Sequence, residues 1–436
     1  MSFYTISIYA AIFVLTAASP RWSLLLFVAI APWNIVGEQL GSDPRLGWSL
    51  LLAFRASFTL RSPSARSLPR LAIGATLAFG LLAFLRLQAV SGDLPAEELK
   101  SAHTTLLYFL SGASGAFAIL KLIDTKEKLA QLIGATTLSL VAASGLGLFQ
   151  AHTSYFLGWA EGRISGPLGN PNYFAAYLAF GAVLMMLAWR LELAHRFWLL
   201  IAVTLASATC VLTFSRMGTV ACCLGLTLTL GIRSSGRVLN WRLMASSVIV
   251  LGLVASVTLG YLADFRRAIS FSDDPHQVAI SVISQGLDDL TRLEALQFAL
   301  QEWQQRPFFG VGLATIAARN YMANGLYVTT HNSYLQALAG TGVIGSGLIT
   351  LTVLSLIGNV AAPIRRYLMP FCVVVGLCCF FADFLGSIET FVLFATILAM
   401  LRCYRAPSEL APLWANGLRQ EISGCPVLSL GRIQPR

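Results

Sequence analysis

The chain has 436 residues, of which 56% are apolar and only 11% are charged, and its formal net charge is +10. Soluble globular proteins carry about 25% charged residues, so this composition excludes that class and predicts an all-α, polytopic membrane protein. The basic excess falls mostly in short loops between apolar segments, where the positive-inside rule places it. The charge is therefore no sign of a nucleic-acid partner.

Apolar segments of spanning or near-spanning length recur along the chain. They lie at 47–60, 69–90, 103–123, 128–149, 172–190, 197–213, 216–232, 240–262, 333–359, 367–386 and 389–403. Residues 3–36 add one or two more, because Pro20 and Arg21 interrupt that stretch. We predict about twelve transmembrane helices with both chain ends in the cytoplasm, or thirteen if residues 3–36 cross twice.

Charge asymmetry between the loops assigns their sides. Arginines and lysines cluster after every second segment, whereas the acidic residues concentrate in the opposite loops. The pattern predicts four regions: an N-terminal transmembrane bundle (1–262), a large extracytoplasmic loop (263–332), C-terminal transmembrane helices (333–403) and a short cytoplasmic tail (404–436). The eight cysteines form no CxxC pattern and none lies in the long polar loops, so no disulfide framework is expected. The N-terminus lacks a basic n-region, which argues against a cleaved signal peptide.

The end of the large loop carries the pattern of an amphipathic helix, from Leu287 to Trp303. Its apolar residues recur at intervals of three or four: Leu287, Leu290, Leu293, Leu296, Leu300 and Trp303. Acidic residues occupy its first turn, and Pro307 follows its end. A helix this polar cannot cross a bilayer, so we expect it to lie on the membrane surface or to cover a cavity.

His331 opens the apolar helix that follows this loop, and it is a candidate catalytic residue. The positive end of the helix dipole disfavours imidazolium, which leaves a neutral imidazole able to accept a proton. A histidine that only caps the helix would give the same sequence pattern. Asn332, beside it, is a candidate cavity-lining residue.

Arg216 and Arg292 are candidate ligands for phosphate. Arg216 lies in TFSRMG, between two apolar segments with almost no loop, so its guanidinium should lie at the outer membrane boundary and needs an anionic partner. Guanidinium groups suit bidentate phosphate contacts. The alternatives are a snorkelling arginine at 216 and a solvated surface charge at 292. Other arginines share this side and cannot be ranked by spacing, namely Arg163, Arg266, Arg267, Arg306 and Arg319.

The stretch Gly169 to Tyr173, with the sequence GNPNY, opens the segment at 172. It reads as an asparagine helix cap followed by proline in the first turn. It also sets the amide groups of Asn170 and Asn172 at the mouth of an outer cavity. Nucleotide-binding and metallohydrolase motifs are lacking, so we expect transfer chemistry without a metal or other cofactor.

Four stretches together resemble one family. They are LGNPNYFAAYL (168–178), LTFSRMG (212–218), the run from 292 to 312 ending in RPFFGVG, and HNSYLQALAGTGVIG (331–345). In this order, with a long outer loop before the histidine, they are similar to the O-antigen ligase and polymerase superfamily of bacterial envelope glycosyltransferases. The resemblance covers residues 168–345.

The resemblance implies a metal-independent, inverting transfer of a glycan from undecaprenyl diphosphate to an acceptor hydroxyl on the outer leaflet. By matching position, Arg216 and Arg292 would hold the diphosphate and His331 would activate the acceptor. The protein would be a multi-pass protein of the inner (plasma) membrane, surrounded by membrane lipid, with its active site facing the periplasm.

Several functions fit the sequence. Ligation to a lipid A-core acceptor comes first, because the outer loop is moderate and the tail is short. Polymerisation of O-antigen or exopolysaccharide, with a glycan acceptor, is close behind. A small-anion transporter lined by Arg216 is the rival from another class, and a scaffold for envelope assembly is a third. Relatives described as bicarbonate transporters share the GNPN stretch but lack the histidine, so His331 favours transfer over transport.

Overall fold

The computed structural model describes residues 3–34, 43–59, 68–153, 163–232, 293–325, 330–381 and 387–403. Every regular element in these ranges is helical. The α-helices are α1 Phe3–Ala18, α2 Pro20–Ile30, α3 Pro44–Ser57, α4 Arg70–Ala89, α5 Ala96–Leu122, α6 Lys126–Thr153, α7 Pro171–Arg190, α8 Arg196–Leu212, α9 Arg216–Gly231, α10 over 293–305, α11 Ile316–Asn324, α12 Ser333–Gly358, α13 Met369–Phe381 and α14 Ile388–Cys403. Short 3-10 helices cover Ser91–Asp93, Gly166–Leu168 and Ala362–Leu368.

The predicted apolar segments within these ranges each coincide with a helix. Five of the described helices are long and apolar enough to cross a bilayer, namely α4, α5, α6, α7 and α12. The described part of the chain is thus all-helical, and its long apolar helices indicate a multi-pass membrane protein. The predicted segment at 240–262, Arg292 and the tail at 404–436 lie outside the described residues. The total of about twelve spans, the sidedness and the four regions stay predictions.

Helix α7 occupies the centre of the bundle. It begins with the Asn170 cap and Pro171 in the first turn, and its side chains from Phe174 to Ala188 are all buried. A helix that is apolar on every side is stable only when other helices surround it. Helices α6, α8, α9, α13 and α14 pack against it. The position of α7 is therefore fixed by the helices that surround it.

A second contact region joins α4 with α12 and α5 with α14. Its core contains Phe79, Leu87 and Phe109, and Leu313 from the segment after α10 packs into the same cluster. Leu313 is fully buried, and its burial anchors the preceding turn at 306–312 against α4.

Many large apolar side chains point away from the helix contacts. Phe13, Leu77, Leu138, Trp198 and Leu354 are each more than half exposed. On a soluble protein such a surface would promote association, but on a membrane protein it is the surface that contacts acyl chains.

Helix α10 is the described part of the predicted amphipathic helix. Its packed side is formed by Ala295 and Ala299, which are fully buried, with Trp303 partly buried beside them. Leu293 and Leu300 of the predicted apolar stripe are 52% and 43% exposed. The small alanine side chains let the helix approach its neighbours closely, and this leaves the leucine side of α10 on the outer surface of the protein.

Candidate functional site

His331 lies two residues before α12, at a strained point of the backbone. Its φ angle is +46°, in the left-handed region, which costs a residue other than glycine about 1–2 kcal/mol. Histidine adopts this region more often than most residues. Its side chain is half-buried. Such a conformation persists only where the surrounding structure fixes the chain, so the fold itself sets the backbone position from which the imidazole projects.

The residues on both sides of His331 supply that constraint. The side chain of Asn332 accepts a hydrogen bond from the backbone N–H of Leu335 at 2.9 Å, which caps α12. The buried hydroxyl of Thr330 donates to the Asn332 carbonyl at 3.2 Å, and Gln336 lies within 3.3 Å of the same hydroxyl. Asn332 thus performs the capping that His331 could have performed.

Helix α12 is broken about two and a half turns after its start, at Gly342. The backbone there has φ 67° and ψ −173°, a combination that is essentially restricted to glycine. A break leaves carbonyl and N–H groups without their helical partners, and within a membrane these groups must bond to protein. The loop at 307–312 provides those partners.

Four backbone hydrogen bonds join the loop to the two halves of α12. Val311 and Gly312 donate to the carbonyls of residues 339 and 340, at 2.9 and 2.8 Å. In return Val343 donates to the carbonyl of residue 307 at 2.8 Å, and Ile344 donates to that of residue 308 at 3.2 Å. The RPFFGVG stretch and the broken helix therefore form one unit with paired backbone groups.

Glycine is required where this loop and helix touch. A Cβ at Gly310 would lie 2.5 Å from the carbonyl oxygen of Ala339, and one at Gly342 would lie 2.2 Å from that of Phe308. Real Cβ atoms do not approach so closely. The glycines of the loop and the GTG stretch of α12 are thus explained by close backbone contact.

Arg216 is the first residue of α9 and its side chain is exposed. Ser215 caps the helix by accepting a hydrogen bond from the Gly218 N–H at 3.4 Å, and the preceding Phe214 has a positive φ of 53°. The N-terminus of a helix carries partial positive charge and unpaired N–H groups. Arg216 adds a full positive charge to that end. The helix N-terminus and the guanidinium together favour the binding of an anion.

Asn170, Asn172 and Arg163 lie beside the start of α9. The guanidinium of Arg163 donates to the Thr213 carbonyl at 3.2 Å and to the Asn172 side chain at 3.3 Å. Asn170 caps α7, accepting from the N–H groups of residues 172 and 173 at 2.9 and 3.3 Å. The starts of α7 and α9 and the segment at 163 thus meet in one polar cluster.

The predicted site residues fall into two groups. The first lies near the starts of α7 and α9: Asn170 caps α7, and Asn172 is linked through Arg163 to Thr213, three residues before Arg216. The second is His331 with Asn332, just before α12. The helices that begin at the two groups, α9 and α12, both contact α13, and the Tyr334 hydroxyl donates to the carbonyl of Gly376 in α13 at 3.1 Å. Arg292 lies outside the described residues, so its relation to either group stays a prediction.

Two arginines acquire importance that spacing alone did not give them. Arg163 ties the start of α7 to the end of α8, and Arg86 of α4 donates through Nε to the Gly310 carbonyl at 2.8 Å. Arg163 was one of several arginines that spacing could not rank, and Arg86 had no sequence signal, because its partner Gly310 is distant in the chain. A third arginine, Arg319 of α11, forms an ion pair of 2.7 Å with Glu302 of α10.

Residues 200–350 match the family model described as O-antigen ligase. The resemblance to the O-antigen ligase superfamily is confirmed. The matched range holds Arg216, Arg292, His331 and the break at Gly342. No match was found among curated proteins.

The match supports a membrane glycan-processing enzyme of the ligase and polymerase superfamily. The O-antigen ligase match begins within α8 and ends within α12. The Asn170 stretch lies before the start of the match. Asn170 and Asn172 are therefore connected to the O-antigen ligase region through structure, by the contact of Arg163 with Thr213.

Proposed function

We propose that the protein is a glycosyltransferase of the O-antigen ligase type. It moves a glycan from undecaprenyl diphosphate to an acceptor hydroxyl, with lipid A-core as the acceptor, on the outer leaflet of the inner membrane. The observation that carries the proposal is the backbone around His331, where a strained, half-buried histidine is fixed by its neighbours inside the region that matches the O-antigen ligase family.

The reaction requires one base and a means of stabilising a diphosphate. The acceptor oxygen forms a bond to the anomeric carbon as its proton passes to the imidazole of His331. The bond between that carbon and the phosphate oxygen breaks, and the lipid diphosphate leaves with the electron pair. A single displacement of this kind inverts the anomeric centre. Proton transfer to a placed base accelerates such reactions by about 10²–10⁴-fold.

Arg216 and Arg292 would stabilise the leaving diphosphate. The exposed guanidinium of Arg216 at the start of α9 supports this role, because a helix N-terminus and a guanidinium both attract phosphate oxygens. Removing one such donor typically lowers turnover by about 10²–10³-fold. With cationic side chains in this role the reaction needs no metal, and the catalytic groups face the periplasm.

The test is reaction of the purified protein with a lipid-linked oligosaccharide and two acceptors, lipid A-core and a second lipid-linked repeat unit. We expect transfer to lipid A-core that falls at least 100-fold in Arg216→Ala. The matched control is Arg196→Ala, which changes another exposed first residue of a helix, in α8. Elongation of the repeat unit instead would identify a polymerase, and loss of activity in both variants would reject the role of Arg216.

A further inference from the structure

A cavity of about 580 Å³ lies beside the loop that supports α12. Two guanidinium groups line it, from Arg86 at the end of α4 and Arg306 after α10, and Asp93 also lines it. The loop residues Phe308 and Phe309 form part of its wall. These residues belong to helices and loops other than those that carry Arg216.

Arg86 is held in one orientation. Its Nε donates to the Gly310 carbonyl at 2.8 Å, and this bond fixes the guanidinium plane while leaving the two terminal nitrogens for other acceptors. The side chain is half-buried. An arginine near the end of a helix is stabilised by the helix dipole, which explains Arg86 but does not explain why a second arginine faces the same cavity.

Arg306 has no such explanation. No hydrogen bond or ion pair joins its side chain to the part of the chain that the structure describes. Asp93 lines the cavity yet is not within ion-pair distance of either arginine in these same ranges. Arg319, in contrast, is paired with Glu302. Two like charges on one cavity repel each other unless an anion lies between them.

Part of the cavity wall is apolar and exposed. Phe308 is 65% exposed and Phe309 is 50% exposed, although both are large side chains that bury readily. The predicted sidedness puts this end of α4 at the outer membrane boundary. A ligand that satisfies both parts of the site has an anionic head beside the guanidiniums and an apolar body beside the phenyl rings.

We propose that Arg86 and Arg306 bind the phosphate-bearing headgroup of a lipid, at a site separate from the one at Arg216. Guanidinium groups bind phosphate oxygens through paired, charge-assisted hydrogen bonds. The loop that contacts this lipid is bonded to both halves of α12, so the bound lipid lies against the structural support of His331.

The test measures binding of three probes to the purified full chain in a zwitterionic detergent. The probes are a short-chain diacylglycerol phosphate, the matched phosphocholine lipid and inorganic phosphate. We expect the diacylglycerol phosphate to bind most tightly, and Arg306→Gln to weaken it about tenfold or more. Arg306→Lys should recover part of the loss, and Phe308→Ser should weaken the lipid but leave inorganic phosphate unchanged.

Arg70→Gln is the matched control, because it makes the same change at the exposed, opposite end of α4. Its affinity should stay within about twofold of the wild type. Arg86→Gln also removes the bond to Gly310, so Arg306→Gln, which breaks no bond among the described residues, decides the outcome. Unchanged lipid affinity in Arg306→Gln, or an equal loss of affinity in Arg70→Gln, overturns the proposal. It is also overturned if inorganic phosphate or the phosphocholine lipid binds as tightly as the diacylglycerol phosphate, or if the wild type binds no diacylglycerol phosphate. Because binding is measured without transfer, failure of the proposed enzymatic function would leave this result unaffected.

Discussion

Replacing Gly342 with alanine should destabilise the protein far more than a glycine-to-alanine change elsewhere in the same helix. The backbone at Gly342 has φ 67° and ψ −173°, and a residue with a Cβ pays about 1–3 kcal/mol to adopt such angles. The added methyl would also lie 2.2 Å from the Phe308 carbonyl oxygen, so the loop must move away.

This movement would weaken or break two hydrogen bonds, from Val343 to the carbonyl of residue 307 and from Ile344 to that of residue 308. Each contributes about 1 kcal/mol. The expected loss for Gly342→Ala is therefore about 3–5 kcal/mol in the free energy of unfolding. The matched control is Gly347→Ala, in the same helix, where an added Cβ meets nothing within 4 Å. Alanine favours a helix by about 1 kcal/mol over glycine, so the control should be neutral or slightly stabilised.

The assay is unfolding in mixed micelles with increasing sodium dodecyl sulfate, followed by the fluorescence of the nine tryptophans. Transfer activity is measured on the same preparations, and we expect Gly342→Ala to lose it even at detergent concentrations where it is folded. A stability of Gly342→Ala within about 1 kcal/mol of Gly347→Ala would refute the reasoning that the break in α12 depends on glycine.

Two further predictions concern the surroundings of the site. Asn332→Ala removes the cap of α12 and should lower the free energy of unfolding by about 1 kcal/mol. Because the cap positions His331, turnover should fall more than substrate affinity. Turnover equal to that of the wild type would contradict this. Arg319→Gln leaves Glu302 unpaired in a pair whose side chains are 16% and 11% exposed, and should cost about 2 kcal/mol. The exposed pair of Arg196 with Glu192 is the control, and its loss should cost less than about 1 kcal/mol; equal losses would show that the partial burial of Glu302 is unimportant.

Hydropathy and span length predicted the helices well because each apolar segment is long and bounded by charged or turn residues. The Asn170 cap with Pro171 and the junction at His331 were also apparent, since capping residues and a change from polar to apolar composition are local signals. These features predicted where candidate residues lie along the chain.

The break at Gly342 was not predicted, because the apolar pattern of 333–359 continues through it and the partners of its backbone groups lie about 30 residues earlier. The packed side of α10 was also not evident. The leucine stripe had the stronger periodicity, yet Ala295 and Ala299 form the contact, since small side chains allow close approach. Arg86 gave no sequence signal, because its partner Gly310 is distant in the chain.

The proposed transfer reaction depends most on His331 as the base that activates the acceptor. The direct measurement is the single-turnover rate of glycan transfer by the wild type, His331→Ala and the control His152→Ala, which changes an exposed histidine at the end of α6. We predict a fall of about 10²–10⁴-fold for His331→Ala, with undiminished binding of the lipid-linked donor and a normal rate for His152→Ala. Transfer by His331→Ala at the wild-type rate would contradict the account.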